Sequence, residues 1–200
     1  MHVRQRTQAD RRSRSRAALL EAAARGISRH GYGNLVLEEV AREAGYTRGA
    51  LYHQFSGKED LALAVVEWVD ETWHDEVGRL LAEKSDPVDL LVTVARGHAV
   101  YCRRDVARVM LALRVELRGK DDPVGAKVRE LVARLTDQFA ALITAARRSG
   151  AVPAGPPPRV LAPALLAALE GLVIGAGGKA PHDELLAERL VRGLLGLPVR

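Results

Sequence analysis

The chain has a single cysteine in 200 residues, Cys102. That excludes an intramolecular disulfide framework and fits a reducing cytosol. Aromatic residues make up only 4%, and β-branched residues are few beside alanine, leucine and arginine. A strand-rich fold is therefore not expected; the composition favours helix. No long uninterrupted apolar run occurs. The most apolar stretch, Val160 to Gly178, is broken by Pro163 and Glu170, so it reads as a buried helix rather than a membrane span. The N-terminal arginines have no apolar segment behind them, which argues against a secretory signal. The sequence also lacks G-x-S-x-G, a P-loop, H-E-x-x-H and a dinucleotide fingerprint, so nothing in it points to an enzyme. No internal repeat is evident. The expectation is a cytoplasmic protein with no membrane association, catalytic residue or cofactor.

What is present is 48% hydrophobic and 28% charged, the balance of a folded globular chain. The net charge of +5 is unevenly placed. Residues 1–58 hold 11 Lys/Arg against 5 Asp/Glu, a net +6, and residues 59–200 hold 19 against 20. A basic excess confined to one end is the pattern of a phosphate-binding surface. Arg4, Arg6, Arg11, Arg12, Arg14 and Arg16 crowd the first sixteen residues. They read either as a solvated tail or as an arm that follows phosphates or enters the minor groove.

Periodicity predicts an all-α protein of about nine helices. The first spans about Arg12 to His30, with Leu19, Ala23 and Ile27 on one face and Gly31 as its stop. Two short helices fall between Leu37 and Phe55. A fourth opens at Ser56, where Ser56 and Glu59 have capping-box spacing, and runs to about Leu81. Asp86-Pro87 starts a fifth. Others are predicted at about Asp105 to Leu117 and Pro123 to Ser149, then, beyond the proline-rich link Ala151–Pro158, at about Arg159 to Ile174 and Pro181 to Leu195.

The most informative stretch is LEEVAREAGYTRGALYHQF, Leu37 to Phe55. Val40, Ala41 and Ala44 give its first helix a narrow apolar face. Gly45 ends that helix, and Thr47 can cap the next. Leu51 and Phe55, four apart, pack the second helix back, leaving Arg48, Gly49, Tyr52 and His53 outward. This is the pattern of a helix-turn-helix. Thr47 sits where a helix N-terminus attracts phosphate, as a cap, a contact or both. Arg48 is suited to a guanine edge or a phosphate, and Ala50 to a thymine methyl. Gly49 permits close approach of backbone to DNA. Tyr52 and His53 are further candidate contacts. The two C-terminal helices are apolar over a wide arc, through Leu161, Leu165, Leu172, Leu186, Leu190 and Leu194, which suggests pairing with a second copy. His98 and Cys102 share a helix face, but two such residues do not make a metal site.

Ala44 to Phe55, together with Lys58-Glu59-Asp60-Leu61, resembles the tetracycline-repressor (TetR) family of bacterial transcription regulators. Ala22-Ala23, Gly31-Tyr32 and Val40-Ala41 fit the same pattern, and the likeness covers about residues 15–62. It implies three N-terminal helices that bind DNA, with later helices forming a ligand pocket and a four-helix dimer interface. The implied domains are a flexible basic arm at 1–14, a DNA-binding head at 15–60 and an effector-binding and dimerisation domain at 61–200. It also places Lys58 near phosphate. Where the family often has Thr or Ser before its second helix, this chain has Leu35, Val36 and Leu37, with Asn34 as the nearest capping side chain and a candidate DNA contact. Trp68, Trp73, His98, Tyr101, Cys102, Met110 and Phe139 are candidates either for the pocket or for core. The expected function is a homodimeric repressor on a near-palindromic double-stranded operator, released by a small, partly apolar effector. An architectural DNA-binding protein, or an activator on the same scaffold, are the alternatives.

Overall fold

The structure, a computed structural model, describes residues 8–82, 85–176 and 178–198. Arg4 and Arg6 of the basic arm lie outside the described residues. Among those described the fold is all-α, with nine α-helices: α1 Gln8–His30, α2 Leu37–Glu43, α3 Arg48–Tyr52, α4 Lys58–Glu76, α5 Pro87–Tyr101, α6 Val109–Glu116, α7 Pro123–Arg148, α8 Pro158–Ala176 and α9 His182–Leu194. Short 3-10 turns cover Gly78–Ala82 and Asp105–Arg108.

Local signals account for most boundaries. Asp86 accepts from the N–H groups of Val88 (2.8 Å) and Asp89 (3.3 Å), with Pro87 in the first turn of α5. Gly31 takes φ +82° just past α1. Three boundaries depart from the sequence reading. Helix α1 begins at Gln8 rather than near Arg12, so Arg11, Arg12 and Arg14 are helical rather than part of a loose arm; arginine is a good helix former. At α4, Ser56 pairs with Asp60, not Glu59: its N–H and hydroxyl both donate to Asp60 Oδ2, at 2.8 and 3.1 Å. The helix starts at Lys58, which makes Asp60 its third residue. The stretch read as a sixth helix from Asp105 opens as a 3-10 turn, and α6 proper starts at Val109.

The chain forms two compact units, residues 1–69 with 108–128, and residues 70–107 with 129–200. The first therefore takes in α6, which the sequence had assigned to the C-terminal domain. Its core joins Leu19, Ala23 and Ile27 of α1 to Leu51, Phe55, Leu61 and Val65, with Val109 and Leu113 of α6 also buried. Arg25 links α1 to α2 by donating to Glu43 (2.7 Å), and it also bonds Glu21 on its own helix (2.8 Å).

In the second unit α5 packs against α8 and α9. Leu91, Val94, Phe139, Ile143, Leu165, Leu169 and Val191 are buried there. Among the described residues α8 is the one helix long and apolar enough to cross a membrane. Its Leu161, Ala162, Leu165, Leu166, Leu169 and Val173 are buried in this protein core. An ionic cluster ties α9 to the end of α5. Arg103 forks onto Asp183 at 2.9 and 3.0 Å and reaches Glu184 at 2.6 Å. Asp183 is 1% exposed, so its charge depends on that partner. The Arg103 guanidinium holds the Asp183 carboxyl below its ordinary range.

A carboxyl held low stabilises the fold above its unfolded pKa, and that contribution fades as pH falls through the folded value. Arg103→Ala should lower the melting temperature most at neutral pH, where Asp183 is left charged, buried and unpaired. The gap to the parent chain should narrow as pH falls below about 4. A gap that does not change with pH, in melting curves taken from pH 3 to 8, would assign Arg103 to packing alone.

Candidate nucleic-acid interface

The geometry of the reading unit starts at the turn after α2. Gly45, at φ +78°, lets its own N–H donate to Arg42 O (3.1 Å) and the N–H of Tyr46 donate to Ala41 O (2.8 Å). This pair of bonds closes the helix with a left-handed residue, which glycine reaches without a Cβ clash. Thr47 then caps α3 from an extended backbone, its Oγ1 accepting from Ala50 N–H at 3.2 Å. The capping role read from the sequence is thus present.

Helix α3 has five residues, too few to be stable alone. It is held by Leu51 (0% exposed) and by Phe55 just beyond it (1%). Burying each such side chain is worth about 1.5–3 kcal/mol. Arg16 of α1 lies over the Phe55 ring at 4.7 Å, and Gln54 Nε2 donates to Ser15 Oγ at 2.9 Å. The opposite side carries Arg48, Gly49, Tyr52 and His53, all exposed, with Ala50 half-buried. Thr47, also exposed, adjoins them.

These residues are brought together as expected, but their local partners were not legible in sequence. Arg48 Nε lies 3.0 Å from Glu38 on α2, and its guanidinium sits 5.2 Å from the Tyr52 ring centre. Exposed pairs of this kind are worth about 0–1 kcal/mol, so the contact orients Arg48 without committing it. No contact among the described residues imposes Gly49. A Cβ there would meet only Thr47 Oγ1, at an ordinary 3.9 Å.

One expectation at the edge of the unit needs correction. Asn34 does not cap α2; its Nδ2 donates back to His30 O at 2.9 Å, and Val36 opens α2 with no side-chain cap. The spacing was short enough for capping, but the end of α1 offered the free carbonyl. Lys58, expected near phosphate, is half-buried at the start of α4. Its Nζ donates to Gly33 O at 2.6 Å and lies 5.1 Å from the Tyr32 ring centre. Burial also pushes the Tyr32 phenol up.

The candidate pocket residues fall in both units. Trp68 and Met110 belong to the first, where both are half-buried. In the second, Tyr101, Cys102 and Phe139 are buried in the core. Tyr101 shares a hydrogen bond with Thr72 at 2.8 Å, and burial raises its phenol pKa. Trp73 donates to His98 Nδ1 at 3.1 Å. A nitrogen that accepts carries no proton, so the neutral ring keeps its proton on Nε2, 3.5 Å from Cys102 Sγ. Burial pulls the His98 imidazole down to about 4. Among the described residues no group of three or more His, Cys, Asp or Glu is placed to hold a metal.

A surface cavity of about 640 Å³ in this unit is lined by Asp70, Glu71, His74, Asp75, Arg134 and Gln138, none of which the sequence reading singled out. Arg134 is bonded to Asp70 at 2.6 and 2.9 Å. On the two C-terminal helices, Leu161 and Leu165 are buried inside the unit's own core, which removes them from the expected dimer face. Leu172, Leu190 and Leu194 are half-buried and Leu186 is exposed. Val160, Ile174 and Leu185 are exposed as well. Periodicity finds an apolar arc but not which part of it the parent chain covers.

Residues 19–65 match the family model described as bacterial regulatory proteins, tetR family. The transcriptional regulator TtgR of Pseudomonas putida is 39% identical over 77 residues, 38% of this chain and 36% of TtgR. The regulator CymR, also of Pseudomonas putida, is 37% identical over 113 residues, 56% of each chain. The matched segment thus spans only about a third to a little over half of these curated relatives. Among solved structures, AibR, in complex with isovaleryl coenzyme A and operator DNA, shares the fold with a TM-score of 0.78 at 21% identity. That match covers 92% of this chain and all of AibR. SmeT, the repressor of a Stenotrophomonas maltophilia multidrug efflux pump, aligns with a TM-score of 0.65 at 26% identity, over 89% of this chain and 88% of SmeT. The capped, glycine-turned helix pair lies inside residues 19–65, the segment that matches the model of the tetR family of bacterial regulatory proteins.

Proposed function

We propose that this chain is a sequence-specific DNA-binding transcriptional regulator, acting in the cytoplasm as a homodimeric repressor that a small molecule releases from its operator. In this reading the head, residues 15–60, reads DNA, and residues 61–200 carry the effector site and the dimer face. The observation that carries it is α3: a capped helix N-terminus with Arg48, Tyr52 and His53 exposed around a glycine that no contact among the described residues requires. An exposed helix N-terminus with a cation beside it suits phosphate and base edges. The basic excess of residues 1–58 supports the same assignment. Release by an effector requires that the small molecule bind the two states of the dimer with different affinity. Structural relatives support such a partner: AibR was solved with isovaleryl coenzyme A and operator DNA, and SmeT with triclosan. The dimer face we propose is built from Val160, Ile174, Leu185 and Leu186, flanked by Leu172, Leu190 and Leu194. Pairing there is to set two α3 helices about 34 Å apart, one turn of the duplex.

The founding experiment is selection of bound sequences from random duplexes, repeated with a metabolite panel to find what releases them. An operator should be preferred over unrelated duplex by about 10³-fold or more; uniform binding with a steep salt dependence would identify an architectural protein instead. Gly49→Ala should leave the melting temperature unchanged or raise it, since Ala is favoured in a helix by about 0.5–1 kcal/mol, yet weaken operator binding. Unimpaired binding would remove the close approach at that position. Arg48→Ala should cost about 1–3 kcal/mol and relax base preference at one position; equal weakening on every sequence would reduce Arg48 to a phosphate contact. Ile174→Glu with Leu186→Glu should give folded monomers with poor operator affinity, and a dimer that persists on sizing would place the interface elsewhere.

A further inference from the structure

We infer that Glu116, at the end of α6, is a positioning residue for the DNA-reading head, acting through the loop between α1 and α2. Its carboxylate accepts from the N–H of Tyr32 at Oε2 and from the N–H of Gly33 at Oε1, both at 2.6 Å. Two successive N–H groups converging on one anion form a nest, and here the anion comes from 83 residues along the chain. The loop is shaped to receive it. A Cβ at Gly31 would lie 2.8 Å from Glu116 Oε2, and a Cβ at Gly33 would lie 3.0 Å from Oε1. Lys58 grips the same loop from its other side, donating to Gly33 O at 2.6 Å.

The consequence follows from what the loop leads into. Helix α2 opens at Val36 without a side-chain cap, and Asn34 is turned back to α1. The entry to α2 is therefore held by the Glu116 and Lys58 contacts in place of a cap. Since α3 packs on α2, the carboxylate fixes the pair that carries Arg48. Charge-assisted bonds to backbone N–H groups are among the stronger hydrogen bonds, which suits the task.

This assignment rests on the DNA-binding reading above, and its sign makes it testable. By charge alone, removing a carboxylate strengthens binding to any duplex. A positioning role demands the opposite at the operator. The full-length parent chain, Glu116→Gln and Glu116→Ala are to be compared on the operator selected with the parent and on a scrambled duplex, well below each melting temperature. The ratio of operator to scrambled affinity should fall about tenfold in both variants, the scale of one lost charge-assisted bond, while scrambled-duplex affinity holds or rises. Gly33→Ala should lower the ratio in the parent and leave it unchanged when Glu116 is already Ala, because its Cβ would crowd only that carboxylate. If Glu116→Ala fails to fold, the ratio in Glu116→Gln still decides. A ratio within twofold of the parent, or an equal Gly33→Ala effect in both backgrounds, overturns the assignment. A parent chain that retains no duplex overturns the DNA-binding reading itself, which separates the two failures.

Discussion

The burial of Leu51 and Phe55, with α3 packed on α2 and Arg16 of α1 over the Phe55 ring, is the contact on which the first unit turns. A five-residue helix has almost no intrinsic stability, because nucleation fixes several residues for each hydrogen bond gained. Its order is borrowed from apolar contact on one side and from the Thr47 cap at its start. That division of labour frees the other side. Arg48, Gly49, Tyr52 and His53 have no packing duty, so their identities can be set by a partner outside the chain.

Charge in this unit is organised rather than merely abundant. Arg25 is engaged by Glu43 and Glu21, Arg48 by Glu38, and Lys58 by Gly33 O. The net positive balance therefore overstates the number of cations that stand idle. These engagements differ in depth. The Arg48 pair is exposed and cheap to exchange for a phosphate or a base edge. The Arg103–Asp183 pair of the second unit is not, since Asp183 is buried and loses its compensation if Arg103 leaves. One kind of ion pair orients an exposed side chain; the other fastens α9 to α5.

The second unit shows how the same residue types serve ends that composition does not separate. Tyr101, Cys102 and Phe139 are core, while His98 is fixed in one tautomer by the indole of Trp73. Meanwhile the cavity lined by Asp70, His74, Arg134 and Gln138 is polar.

The sequence by itself settled what depends on neighbours a few residues apart. Helix periodicity, the stops at Gly31 and Gly45, the Thr47 cap and the start at Asp86-Pro87 all act within one or two turns, so they can be read off a string of letters. Tertiary structure alone decided what depends on distant partners. Glu116 closing on the Tyr32–Gly33 loop, Lys58 turned to Gly33 O, Asn34 spent on α1, and Leu161 and Leu165 drawn into the core rather than left for a second copy are all of this kind. An apolar stripe or a lone cation carries no record of which surface will cover it, because that choice is made by packing between segments far apart in the chain.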